Sequence, residues 1–410
     1  MLAINAMLGR MLSPYEFGCY VILWNLVTLL SLIGQFGTRS YVVKTLASLE
    51  AAGKSEQMLP LICKVAVVAM VFSTASSLVV FIGAWPSVSG LLDIGISSSN
   101  RYIMVILVPA LALNLVLPEV FRGIRWTRVA NAVGPPIYNI LFATVLATVG
   151  VLFHGSVDLN YVFVTLLASA GVSISVAAFI TLATPLWHWK STEISLKRIV
   201  SASVPFLFTQ LGTFLMLNSD VWLIAGKLGP EEAGVYGAAS RLALMVGIPA
   251  QIGISVILGR IAQLAAVNNN AGIENTAREA AFAFTIFGAA IAVPFIFYGN
   301  GTMTAVYGPA FGEGGLLLGI LALGQLTTAI AGPAQSVMMM NGGATAMMLL
   351  TLCVATFNIL LGYVIGLSFG AVGVALCYCA GLASYAGMAV LLVRRKLGIW
   401  TLPQRPRNIF

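Results

Sequence analysis

The stretch Leu12-Ser-Pro14-Tyr-Glu16-Phe-Gly18-Cys-Tyr20 returns 216 positions later as Leu228-Gly-Pro230-Glu-Glu232-Ala-Gly234-Val-Tyr236, each time in a short break between two long apolar runs. The same offset pairs Leu26 with Leu242, Gln35 with Gln251 and Gly37 with Gly253, so the match covers a helix, a turn and the next helix. The chain therefore reads as two copies of one membrane module. Such repeats point to alternating access, with a substrate site between the lobes near mid-membrane.

Composition supports a membrane fold independently. Hydrophobic residues make up 59% of the 410 and charged residues 8%, against roughly 25% charged in a soluble domain. The apolar runs are too long for strands and lack the alternation of an outer-membrane barrel, which leaves helices as the way to satisfy the backbone in lipid. The five cysteines lie in or beside apolar runs, and Cys377 and Cys379 fall on different faces of a helix with no His nearby, so neither a zinc site nor a disulfide framework is expected.

Runs of about 20 apolar residues predict helices near 17–38, 58–85, 102–121, 130–153, 160–187, 202–227, 233–258, 278–298, 314–337, 344–368 and 370–393. A twelfth would precede them, but Met1 to Leu12 rises only about 18 Å as a helix, short of a hydrocarbon core of about 30 Å. Its repeat partner begins near Ser203, so the expectation is that the start of the first helix is missing. The fold class expected is thus all-α, with about twelve transmembrane helices in two pseudo-repeated six-helix lobes around a central cavity. The boundaries are an N-terminal lobe at 1–190, a linker at 191–201 and a C-terminal lobe with a basic tail at 202–410. His188 to Val200 is polar enough to be a short interfacial helix or a plain linker.

Seventeen of the 21 Lys and Arg fall on one side: Arg39, Lys44, Lys54 and Lys64; Arg122, Arg125 and Arg128; Lys190, Lys197 and Arg198; Arg260 and Arg278; and five in the tail. The positive-inside rule then puts both termini in the cytoplasm. This bias also accounts for most of the net charge of +8, so nucleic-acid binding is not indicated.

The Leu-x-Pro-x-Glu-x-Gly-x-Tyr turn, its echo, the exit of the second helix (Gln35 to Lys44) and Gly370-Ala-Val-Gly373-Val-Ala opening the last helix together resemble the polysaccharide-biosynthesis flippases. These form the Wzx-like branch of the multidrug/oligosaccharidyl-lipid/polysaccharide exporter superfamily. The resemblance implies a carrier of undecaprenyl-pyrophosphate-linked oligosaccharide from the cytoplasmic to the outer leaflet of the bacterial inner membrane. It implies membrane lipids and polysaccharide assembly proteins as partners, and no cofactor. A first helix that lacks its start, as expected above, would depart from the family pattern.

Physically, Pro14 and Pro230 suit a first helical position, Glu16 and Glu232 then sit where the helix dipole favours negative charge, and Gly18 and Gly234 permit close helix approach. Asp220 and Arg241 are the acid and base clearly within spans, and ionisable groups in lipid are functional candidates. Asp220 is ten residues before Pro230 and Arg241 eleven after it, nearly equal depth in an antiparallel hairpin, so an ion pair between helices seven and eight is expected. It serves either as a site for H+ or Na+ coupling or anion binding, or as a structural clasp; the repeat offset puts Ile4 and Asn25 at the matching places. Arg122, Arg125 and Arg128, spaced by three near Glu119, would spread over one helical face fit for a lipid pyrophosphate, or serve as ordinary positive-inside charge with a Glu119–Arg122 contact. Arg39 and Lys44 face the same choice.

Gly134-Pro135-Pro136, Pro249 and Gly332-Pro333 predict interrupted helices, which in transporters can line the pathway. Asn25, Asn139, Gln210, Asn218, Gln251, Gln325 and Asn358 are candidate donors to sugar hydroxyls or interhelical hydrogen bonds. A cation-coupled exporter of small amphipathic compounds, and a membrane partner of an assembly complex that transports nothing, are the competing functions. Catalysis is not expected, for no span carries a nucleophile with its base, a paired carboxylate site or a metal cluster.

Overall fold

A computed structural model describes residues 2–95, 97–153, 157–183, 195–267 and 269–404. Among these residues the chain is helical throughout: α1 (Leu2–Met11), α2 (Pro14–Gly34), α3 (Thr38–Ala51), α4 (Met58–Leu78), α5 (Trp85–Leu92), α6 (Ser98–Gly123), α7 (Thr127–Ala132), α8 (Pro135–Phe153), α9 (Leu159–Ala183), α10 (Leu196–Leu228), α11 (Pro230–Ala243), α12 (Ile248–Ala266), α13 (Asn270–Phe297), α14 (Gly299–Tyr307), α15 (Gly315–Met340), α16 (Ala344–Val364) and α17 (Gly370–Leu397). Among the described residues eleven spans are long and apolar enough to cross a membrane, and they coincide one for one with the eleven read from the sequence. Phe179, Val256 and Phe297 are about three-quarters exposed, an outward apolar surface that requires lipid rather than water. The protein is a multi-pass, all-α membrane protein.

Local chemistry explains the helix ends. At the first copy of the repeated turn, Ser13 and Glu16 form a reciprocal cap: the Ser13 N–H and Oγ donate to Glu16 Oε2 at 3.0 and 2.9 Å, and the Glu16 N–H donates back to Ser13 Oγ at 3.3 Å. Pro14 fills the first helical position, where no donor is lost. In the second copy the equivalent of Ser13 is Gly229, at φ 93°, and no side chain caps α11. Helix α2 ends on Phe36 and Gly37, two consecutive left-handed residues (φ 51° and 71°), after which Thr38 starts α3.

Two of the three predicted interruptions are present; the third is not, for Gly332-Pro333 lies inside the continuous helix α15, which accommodates the proline's missing donor without a break. Val133 and Gly134 (φ 82°) separate α7 from α8, with Pro135 opening the second piece. A 3-10 turn at Leu244–Gly247 separates α11 from α12, with Pro249 in the first turn of α12. Three short helices, α3, α5 and α14, lie in stretches read from the sequence as connections. In the 188–200 region α10 begins at Leu196; residues 188–194 lie outside the described set.

Packing divides the chain into two units that do not follow the order of the sequence. Unit 1 comprises Cys19–Phe214, and unit 2 comprises Ile4–Gly18 with Leu215 onward. The core of unit 1 joins Leu46 of α3, Leu61 of α4, Val120 of α6 and Ile199 of α10, all fully buried. In unit 2, α15 is the central helix, packed against α13, α17, α11 and α12. Small residues allow these approaches: a Cβ on Gly324 would meet the Cα of Cys379 at 3.1 Å, close packing of the kind membrane helices favour.

Candidate functional site

Unit 2 holds a buried polar cluster built on α10, α11, α15 and α17. Asp220 is 4% exposed. Its Oδ2 accepts a 2.6 Å hydrogen bond from the Tyr236 hydroxyl, and its Oδ1 accepts one from the Val221 N–H at 3.0 Å. Arg241, half-buried one turn beyond Tyr236, lies within electrostatic reach of both Asp220 and Tyr378. Tyr378 receives the Gln325 amide at 3.3 Å. A carboxylate this deep would be costly alone; two convergent donors and a nearby guanidinium make it tenable.

Tyr236 is the member that sequence reasoning passed over, although it ends the repeated motif. Depth was counted from Pro230, which treated the turn as helix. With α10 ending at Leu228 and α11 starting at Pro230, Asp220 lies eight residues in, Tyr236 six and Arg241 eleven, or roughly 12, 9 and 16 Å. Tyr236 is thus nearer in depth than Arg241. Tyr378 sits between the two cysteines that had drawn notice only for lacking a metal-site spacing. Among the described residues no group of three or more His, Cys, Asp or Glu could hold a metal ion.

Unit 1 holds a second charged constellation. Glu119, 4% exposed on α6, accepts from Arg39 Nε of α3 at 2.7 Å and from Arg122 Nη1 at 2.7 and 2.8 Å. The Arg122 Nη2 reaches the Asn131 side chain at 3.2 Å. Both arginine side chains remain 41% exposed, and they border a cleft of about 150 Å³ also lined by Pro118, Asn131, Pro135 and Pro136. The charge of the triad is net positive, and the cleft lies at the broken α7–α8 helix.

The three arginines spaced by three do not share a helical face. Arg122 closes α6, Arg125 occupies a left-handed turn at φ 60°, and Arg128 sits on α7; all three are exposed. The helix ends at Gly123, which removes the regular spacing the expectation relied on. Lys44 is exposed on α3, Asn25 is buried on α2, and Asn218 is half-buried on α10. Gln210 of α10 accepts from Gln35 Nε2 at 2.8 Å, within unit 1. Within unit 2 the structure brings Arg241 near Asp220, and within unit 1 it brings Arg39 and Arg122 onto Glu119.

The fold is that of several solved structures. The chain is similar to the inward-facing conformation of a multidrug resistance MATE family transporter of the MOP superfamily (TM-score 0.76, 14% identity, 97% of this chain and 93% of the other). It is similar to the lipid II flippase MurJ in an inward closed conformation (TM-score 0.70, 14% identity, 96% and 84%). It is also similar to a MOP superfamily transporter from Pyrococcus furiosus for which a reversed binding-pocket polarity suggests a different function (TM-score 0.59, 14% identity, 97% and 91%). No curated protein sequence matches. At these identities the likeness establishes the fold. A family model described as polysaccharide biosynthesis protein matches residues 2–264, well over half of the chain, and the chain belongs to that family.

Proposed function

We propose that this protein carries a lipid-linked oligosaccharide across the bacterial inner membrane, with both termini in the cytoplasm, by alternating access. The observation that carries the reading is the convergence of Arg39 and Arg122 on Glu119 beside an open cleft in unit 1. Planar guanidinium forks match the oxygens of a pyrophosphate, and that head is common to such lipids whatever sugars follow. Glu119 holds the two forks close together in the absence of cargo. The arriving anion competes with it for their donors. Lys44, Arg125 and Arg128 add positive potential on the same side and raise the local concentration of an anionic lipid.

Asp220 supports a coupling role for H+ or Na+, since a buried carboxylate near a guanidinium and two tyrosines can hold a cation in one state and release it in another. Asn25, Asn218 and Gln210 are proposed to meet sugar hydroxyls along the path. Membership of a polysaccharide-biosynthesis family favours a glycan cargo over small amphipathic drugs.

The test is delivery of lipid-linked oligosaccharide to the outer leaflet in cells. Changing Arg39 and Arg122 together to Gln lowers delivery at normal protein level, and Lys at both positions restores it only in part because the fork is lost. Unchanged delivery in the Gln variant overturns the anion-binding role and favours the multidrug-type exporter. Purified protein that moves no labelled lipid in liposomes, while cells still need it for surface glycan, favours a non-transporting assembly partner.

A further inference from the structure

Unit 1 contains a seat for a helix, and the repeat locates its counterpart in unit 2. In unit 1 the turn at Gln35–Thr38 receives the first half of α10. A Cβ on Gly37 would run into the Ser203 carbonyl and would lie 2.7 Å from the Leu207 nitrogen, so the backbones touch there. Ser203 and Ile199 are fully buried beneath this contact. The Gln35–Gln210 hydrogen bond, 2.8 Å, closes it with a pair of amides.

The 216-residue offset places Gln251 where Gln35 stands. Gln251 is exposed and borders a cleft of about 150 Å³ among α12, α15 and α17, lined also by Gln325, Thr328, Gly332, Gln335 and Tyr385. Among the described residues no charged side chain lines it. A Cβ on Gly247 would sit 3.4 Å from Gln325 Oε1 and 3.8 Å from Gln251 Nε2, so the two amides flank one glycine at the cleft floor. One difference from unit 1 matters: the Phe284 ring packs on Gly253, the counterpart of Gly37. An occupant would therefore rest over Gln251 rather than over the glycine.

At membrane depth an acyl chain cannot hydrogen-bond these amides, whereas a helix satisfies its own backbone and can offer one polar side chain. We propose that the cleft is the seat of a transmembrane helix of the α10 type, apolar and bearing one side-chain amide that pairs with Gln251 as Gln210 pairs with Gln35. The inference is independent of what the protein transports.

The test uses the full chain with a second copy of residues 196–217 fused directly ahead of Leu2, since Leu2 matches Asn218 at the repeat offset. In a background with the five native cysteines replaced, Gln251→Cys and Cys at the copied Gln210 are oxidised with copper phenanthroline. Expected is a disulfide that forms about a hundredfold faster than with Val256→Cys on another face of α12, because a seated helix holds the copied cysteine at high effective concentration beside position 251 and not beside 256. Fusion also raises Tm by about 2–4 °C, and Gln251→Leu removes that gain. Equal cross-linking at 251 and 256 overturns the proposal. So does protection of the unfused chain by octyl glucoside that Gln251→Leu abolishes, with no effect of the fusion, because the cleft would then be a site for a hydroxylated small ligand.

Discussion

Gly18 and Gly234, the same position in the two copies of the repeat, lie against each other within unit 2: a Cβ on Gly18 would stand 3.1 Å from the Gly234 nitrogen, and one on Gly234 would stand 2.9 Å from the Gly18 nitrogen. Each would also collide with the other copy's proline carbonyl, Pro230 or Pro14. The repeated turn is thus its own partner. Like surfaces meet here as they do at a two-fold interface.

Alanine at either glycine forces backbone apart rather than a flexible side chain. The overpacking cost of about 1–3 kcal/mol exceeds the gain of up to about 1 kcal/mol from alanine's helix preference. Gly18→Ala and Gly234→Ala each lower the thermal midpoint of the purified protein in detergent. The double variant loses less than the sum, because both changes open one contact.

Tyr236→Phe removes the shorter of the two donors to Asp220 and leaves a buried carboxylate under-satisfied. The expected loss is about 1–3 kcal/mol, read as a lowered unfolding midpoint. Asp220→Asn with Tyr236 intact costs less, since the amide oxygen still accepts from the hydroxyl.

Asp220→Asn and Arg241→Gln each impair the protein, and the two together recover stability, because a lone charge in a low-dielectric site is worse than none. Recovery of transport as well marks the pair as a structural clasp, whereas recovery of folding alone marks it as functional. Additive damage shows that Arg241 serves another partner.

Glu119→Gln frees two half-exposed guanidiniums, which water can still solvate. Its stability cost is therefore modest, about 1 kcal/mol. Binding of geranyl pyrophosphate by the purified protein tightens by about threefold to tenfold, roughly 1 kcal/mol of competing charge removed. Weaker binding instead means that Glu119 orients the arginines for the anion.

Gln35→Leu leaves the Gln210 carbonyl without its donor and costs about 1 kcal/mol, while Gln35→Leu with Gln210→Leu is close to neutral, as paired removal of hydrogen-bonding groups predicts. Thermal unfolding of the three variants separates this interhelical role from a role in cargo recognition, which leaves stability unchanged.

The spans were legible because hydrocarbon thickness imposes a length that composition then reports, and each of the eleven could be read from its apolar run alone. Helix α3 was not, because Arg39, Lys44 and Glu50 give it the polarity of a loop. The capping role of Glu16 was half visible: its place in the first turn follows from Pro14, but its exchange of hydrogen bonds with Ser13 needed the turn to be seen. Arg125 defeated the spacing argument because a left-handed residue between two helices leaves no mark in a one-in-three pattern. Arg39 and Glu119, 80 positions apart, could be linked only by the packing of α3 on α6.

Helix α10 belongs to unit 1 up to Phe214 and to unit 2 from Leu215, while residues 4–18 belong to unit 2. A gene cut in the middle would therefore yield two polypeptides each deprived of a segment needed to finish its own packing. Split fragments should fold only when made together, by exchanging those segments. For anyone dissecting this protein, inheritance and architecture are divided along different lines: the duplicated stretch of coding sequence is one object, and the body that folds is another.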